Sequence, residues 1–155
     1  MTRSATIEDG LAAGAVATLL SGAPSTLHAL ATRTSPLEAT LAAGTLLAPS
    51  RTKSRTALLL AAVAVHVTLS LGWALLLAAV LPRRRTVAWA TLAGLAIAAL
   101  DLGIVGRHFP RIRALAPVPQ VLDHVAYGAT VGVVLSRRRR SAGGRSARRA
   151  PARSA

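Results

Sequence analysis

Between Thr56 and Leu81 the chain runs for 26 residues without one formally charged side chain. A helix rises about 1.5 Å per residue, so about 20 residues cross a bilayer's roughly 30 Å hydrocarbon core. A helix this long and apolar on every side belongs in lipid or at the centre of a much larger protein. Three further runs are of the same kind. Gly10 to Ala31 contains Pro24, which is expected to kink it. Thr86 to Gly106 carries Asp101, and Pro117 to Leu135 carries Asp123 and His124. Charged residues make up only 15% of the chain, against about 25% in soluble domains, and they are segregated between the runs. The expected fold is all-α: a four-span transmembrane helix bundle over residues 1–135.

One apolar piece is too short to cross. "SPLEATLAAGTLLAP" (Ser35 to Pro49) is bounded by prolines and predicts an interfacial or re-entrant helix over about 36–48. Glu38 falls in its first turn, where an acid complements the helix dipole. From Ser136 onward, "SRRRRSAGGRSARRAPARSA" has no apolar residue beyond alanine and is expected to be a disordered, arginine-rich cytoplasmic tail. A cleaved signal peptide is the rival reading of the first run, since Ala29-Leu30-Ala31 offers a small-residue cleavage site. Glu8 and Asp9 directly before the run argue against it, because a signal peptide carries positive charge there.

Four spans put the N-terminus, the loop between the second and third spans, and the tail on one side. That side carries Arg3, Arg83, Arg84, Arg85 and eight tail arginines, twelve positive charges in all. Seven lie opposite: Arg33, Arg51, Lys53, Arg55, Arg107, Arg111 and Arg113. The excess predicts a cytoplasmic location for both termini in a bacterial inner membrane. Arg83, Arg84, Arg85, Arg137, Arg138, Arg139 and Arg140 are the expected contacts for anionic lipid headgroups. The net charge of +14 also invites a nucleic-acid reading. That reading is discounted, because four aromatic residues, three of them in or beside apolar runs, are too few for a stacking platform.

The ionisable groups inside the spans need partners. Asp101 and Asp123 each lie six residues from one membrane face, about 9 Å deep. His66, His28 and His124 fall in the same half of the bilayer, with Ser70 one turn beyond His66. The expected polar cluster is therefore His28, His66, Ser70, Asp101, Asp123 and His124. Stripes of small residues give close packing faces, on which Gly10, Gly14, Gly22, Gly94, Gly128 and Gly132 carry the most weight. The cluster can pin helices together or bind a partner, carry protons or ions, or hold a lipid or small ligand.

Catalytic signatures are missing. There is no phosphate-binding glycine loop, no G-x-S-x-G and no H-E-x-x-H, and the chain has no cysteine. His66, Asp101 and His124 are the only facial metal set to weigh, and pinning helices is the preferred use of them. No catalytic residue, metal or cofactor is expected.

"GLAAGAVATLLSGAP" (Gly10 to Pro24), "HVTLS" (His66 to Ser70), "LAGLAIAALDL" (Leu92 to Leu102) and "DHVAYG" (Asp123 to Gly128) resemble, in their order, the YagU-type small inner-membrane proteins. The likeness extends to about Leu135 and implies a four-helix membrane bundle with no assigned chemistry. The chain departs from it in its compact loops, its basic tail, and Asp101 where a histidine is expected. Composition rich in alanine and arginine suggests a high-GC bacterium, such as an actinobacterium. The leading expectation is a non-enzymatic membrane component, with a homo-oligomer or another membrane protein as partner. A small oligomeric transporter or proton-linked permeation protein, using the same cluster, is the alternative.

Overall fold

The computed structural model describes residues 3–48, 52 and 54–149. Arg51, Lys53, Pro49 and the tail beyond Arg149, with Arg153, lie outside the described residues. Among those described there are helices and turns but no strand. Four stretches are long and apolar enough to cross a membrane: Thr6–Ala31, Arg55–Val80, Thr86–His108 and Pro117–Gly143. The chain is accordingly a multi-pass membrane protein built as an all-α bundle.

The first span is two helices, α1 (Arg3–Leu20) and α2 (Ala23–Ala31). Pro24 sits in the first turn of α2, where its missing N–H and fixed φ are tolerated. The expected kink lies at Ser21–Gly22, where two turn residues interrupt the helix, and α1 begins seven residues before Gly10. After α2 the chain turns through a Schellman motif. Thr34 N–H bonds to the Ala29 carbonyl at 2.8 Å and Arg33 N–H to the Leu30 carbonyl at 3.3 Å. Arg33 holds the left-handed position at φ 57°.

The short helix α3 (Glu38–Gly44) begins on Glu38 and ends in turns through Leu47. It lies against α4 (Arg55–Val80), whose first turn is capped by Ser54 Oγ accepting the Ala57 N–H at 3.3 Å. A Cβ on Gly44 would collide with the Leu58 backbone carbonyl, so only glycine lets α3 approach so closely. The third span starts as α5 (Thr86–Leu100) and widens into a π-turn over Asp101–Val105. The Gly106 N–H closes this turn on the Asp101 carbonyl, then a single 3₁₀ turn (Gly106–His108) leads to α6 (Pro110–Arg113).

The last helix, α7, runs from Pro117 to Arg149. This departs from the expectation of disorder after Ser136. Apart from Gly143 and Gly144, residues 136–149 are alanine, arginine and serine, which carry little helix penalty; no proline occurs between Pro119 and Pro151, and a helix already formed adds residues cheaply.

α7 lies at the centre, with α5 packed along one side, α1 along the other and α2 against its first half. α4 packs along α1 and touches α7 at a few points, with α3 against it, and α4 scarcely meets α5 although the two are consecutive. The core joins Ala13 and Ala17 of α1, Ala74, Leu77 and Ala78 of α4, Ile97 of α5, and Tyr127, Val131 and Leu135 of α7. Large apolar side chains such as Leu19, Leu60, Leu92 and Val118 point outward, the inversion required of a surface solvated by lipid.

Candidate functional site: the intramembrane polar groups

Consecutive residues on a helix point about 100° apart, so Asp123 and His124 face different neighbours. Asp123 turns toward α2, where its Oδ1 accepts the Ser25 N–H at 2.9 Å. Ser25 is the third residue of α2, and Gly22 offers that helix no side-chain cap. Asp123 therefore acts as an N-cap supplied from another helix, its carboxyl oxygen accepting a first-turn N–H that has no partner within α2. Across the break, His66 of α4 lies 2.9 Å through Nε2 from the Thr18 carbonyl in the last turn of α1. A carbonyl can only accept, so His66 carries its proton on Nε2. The two side chains bracket the interruption that Pro24 forces, one holding each helix end.

His124 turns toward α5. Its Nδ1 donates to the Gln120 carbonyl at 2.8 Å, and its Nε2 lies 3.3 Å from Asp101 Oδ2. With Nδ1 occupied as a donor, a proton must sit between Nε2 and Oδ2 for that contact to be a hydrogen bond. The pair is then imidazolium with carboxylate, or imidazole with carboxylic acid, and is neutral overall in both forms. Asp101 opens the π-turn, a helix defect frequent at functional sites. It also borders a recess of ≈ 460 Å³ lined by Thr68, Leu69, Gly72, Trp73 and Leu76 of α4 and Leu100 of α5.

The predicted cluster thus resolves into two groups rather than one. His28 is exposed on α2, and its ring makes no hydrogen bond among the described residues. Ser70 is buried, and its backbone carbonyl accepts the Tyr127 hydroxyl, so Ser70 belongs to the core contact between α4 and α7. His108 bonds through Nδ1 to the Ile104 carbonyl on its own segment. No three histidine, aspartate or glutamate side chains converge as a metal set among the described residues.

Glycine placement accounts for how closely the helices approach. A Cβ on Gly94 would strike the His124 carbonyl oxygen, and one on Gly128 the Ala90 carbonyl oxygen. At Gly132 it would come 2.7 Å from Val87 Cα. Gly10 and Gly14 leave a Cβ 3.0 Å from Leu75 and from Ala74, respectively. Gly22 differs from the packing expectation: nothing lies within 4 Å of its Cβ position, because it sits in the helix break.

Two polar arrangements at the membrane faces escaped the sequence reading. At the face carrying the Arg83–Arg85 loop, Arg138 Nε lies 2.6 Å from Oδ1 of Asp9, which is only 7% exposed. Arg139 donates to the carbonyls of Ala78 at 2.8 Å and Leu81 at 3.2 Å, a cation closing the C-terminus of α4. Arg138 and Arg139 thus hold the bundle, whereas Arg83, Arg84, Arg85, Arg137 and Arg140 are exposed without such a role. An acid preceding an apolar run and a basic knot on the same face were the available signals. At the opposite face, Arg111 grips Glu38 through Nε at 2.8 Å and Nη2 at 3.4 Å. The Arg111 hydrogen bond holds the Glu38 carboxyl below its ordinary range, and Glu38 holds the Arg111 guanidinium more firmly protonated.

No protein-family model, curated protein or solved structure matches this chain.

Proposed function

We propose that the protein is a non-catalytic component of a bacterial inner membrane, with both termini cytoplasmic, whose intramembrane polar groups hold a broken-helix bundle together and present it to a partner. The observation supporting this is that Asp123 and His66 each reach an end of the interrupted first span, while His124 ties Asp101 to α7. The resemblance to YagU-type proteins is part of the same reading. Anionic lipid at the exposed arginines would anchor the cytoplasmic face.

A second reading, proton-linked permeation, is favoured by one observation. The Asp101–His124 pair holds a proton that either partner can carry, beside a helix defect and a recess. Infrared difference spectroscopy of lipid-reconstituted protein, with Asp101→Asn and Asp123→Asn to assign the bands, decides between the two. Carboxyl bands unchanged between pH 5 and 9 are expected for the structural role. A reversible titration near neutral pH, with helix content intact, would replace it with proton handling.

A further inference from the structure

We propose that the recess between α4 and α5 binds lipophilic organic cations, and that a bound cation replaces the proton shared by Asp101 and His124. The proposal rests on the membrane reading above and on this pair, and requires no transport.

Three features converge there. The wall of the recess is apolar, with Leu69, Leu76 and Leu100 each more than a third exposed, and Gly72 leaves open space where a side chain would fill it. Trp73, partly packed on the core, also lines the recess, and tryptophan is the side chain that attracts cations best. Asp101 is the only ionisable residue among the lining side chains, and its Oδ1 has no hydrogen-bond partner among the described residues. The Asp101 side chain is 30% exposed, and a carboxylate oxygen facing hydrocarbon calls for a counter-charge or a donor. Water-soluble cations lose too much hydration to enter, whereas a cation cloaked in aromatic or alkyl groups suits both wall and carboxylate. The volume of ≈ 460 Å³ falls within the common range for small-ligand sites.

Charge balance sets the linkage. With the site empty, Asp101 and His124 share one proton. A monovalent cation against Asp101 makes that proton redundant, and His124 stays neutral with its Nδ1 proton on Gln120. One proton leaves to bulk solvent for each cation bound, so net charge is conserved. The other ionisable groups nearby are separately engaged. Asp123 of α7 faces Ser25 and His66 of α4 faces Thr18, while on the Asp101 segment His108 bonds Ile104 and Arg107 is exposed.

The test uses the full chain in detergent, with tetraphenylphosphonium as the probe and triphenylphosphine oxide as its neutral analogue. Binding is read by equilibrium dialysis and proton release in weakly buffered solution. Resistance of the native protein to alkaline extraction from membranes is checked first. A protein that washes off refutes the membrane reading itself, whereas one that stays but fails below refutes only this proposal. Expected are release of one proton per cation, affinity rising about tenfold per pH unit while the pair is protonated, and loss of at least tenfold in Asp101→Asn. Gly72→Leu, which fills the recess without touching the pair, should also abolish binding, and it decides the matter if Asp101→Asn does not fold. Equal binding of the neutral analogue, binding without proton release, binding unaffected by Gly72→Leu, or no binding at all would each overturn the proposal.

Discussion

At the scale of single residues, two glycines with the same sequence signature have opposite roles. Gly128 lets α7 meet α5 with no side chain between backbones, whereas Gly22 faces open space. Gly128→Ala forces backbone apart and should cost about 1–3 kcal/mol, as overpacking typically does. Gly22→Ala should stay within about 0.5 kcal/mol. Thermal unfolding in detergent, followed by helix content, separates them, and equal effects would refute the assignment. Glu38 allows a prediction in pH. Its carboxyl titrates below the ordinary value of 4.5 because Arg111 is bonded to it. The tie between α3 and α6 is therefore fully present above about pH 4.5 and is lost as pH falls through the lowered value. Both side chains are more than a third exposed, so solvent screening keeps the contribution within about 1 kcal/mol. Proteolysis around Pro110–Arg113, compared at neutral pH and at pH 3, should accelerate on acidification in the native chain and show no such change in Glu38→Gln.

At the scale of elements, the interrupted first span shows how a defect is made tolerable. Proline removes a donor and turns the helix, leaving polar ends in hydrocarbon that other helices must satisfy. Asp123 and His66 arrive from α7 and α4, so α2 is held by residues distant in sequence. Asp123→Leu should cost about 1 kcal/mol, the usual loss of an N-cap. Amide exchange at Ser25, Thr26 and Leu27 should quicken, while Asp123→Asn, which keeps an acceptor oxygen, should lose less. Equal exchange in all three proteins would show that the cap contributes nothing. The pairing of Asp123 with a helix end was not legible in the sequence. The hydropathy run predicts a span, and Pro24 predicts a kink, but neither says which neighbour supplies the missing partner.

At the scale of the molecule, topology can be tested with unusual clarity because the chain has no cysteine. Single substitutions Thr34→Cys and Ser141→Cys place thiols at exposed positions near opposite faces. In intact cells an impermeant maleimide should label the first and miss the second; the reverse pattern would invert the proposed orientation. Neutralising Arg83, Arg84 and Arg85 reduces the charge ratio from twelve against seven to nine against seven. Part of the population should then label at Ser141→Cys.

Four spans, a short helix after the first of them and the close-packing glycines on α5 and α7 could all be read from the chain. Hydrocarbon thickness, helix rise and side-chain volume act locally and leave a periodic trace. Which helices become neighbours is a different kind of fact. The central place of α7, the gap between α4 and α5, and the divergence of Asp123 from His124 depend on partners far apart in sequence. Depth placed the acids and histidines in one half of the bilayer, but rotation about each helix axis decided which of them met. That rotation is set by packing against neighbours, and packing exists only once the bundle has assembled.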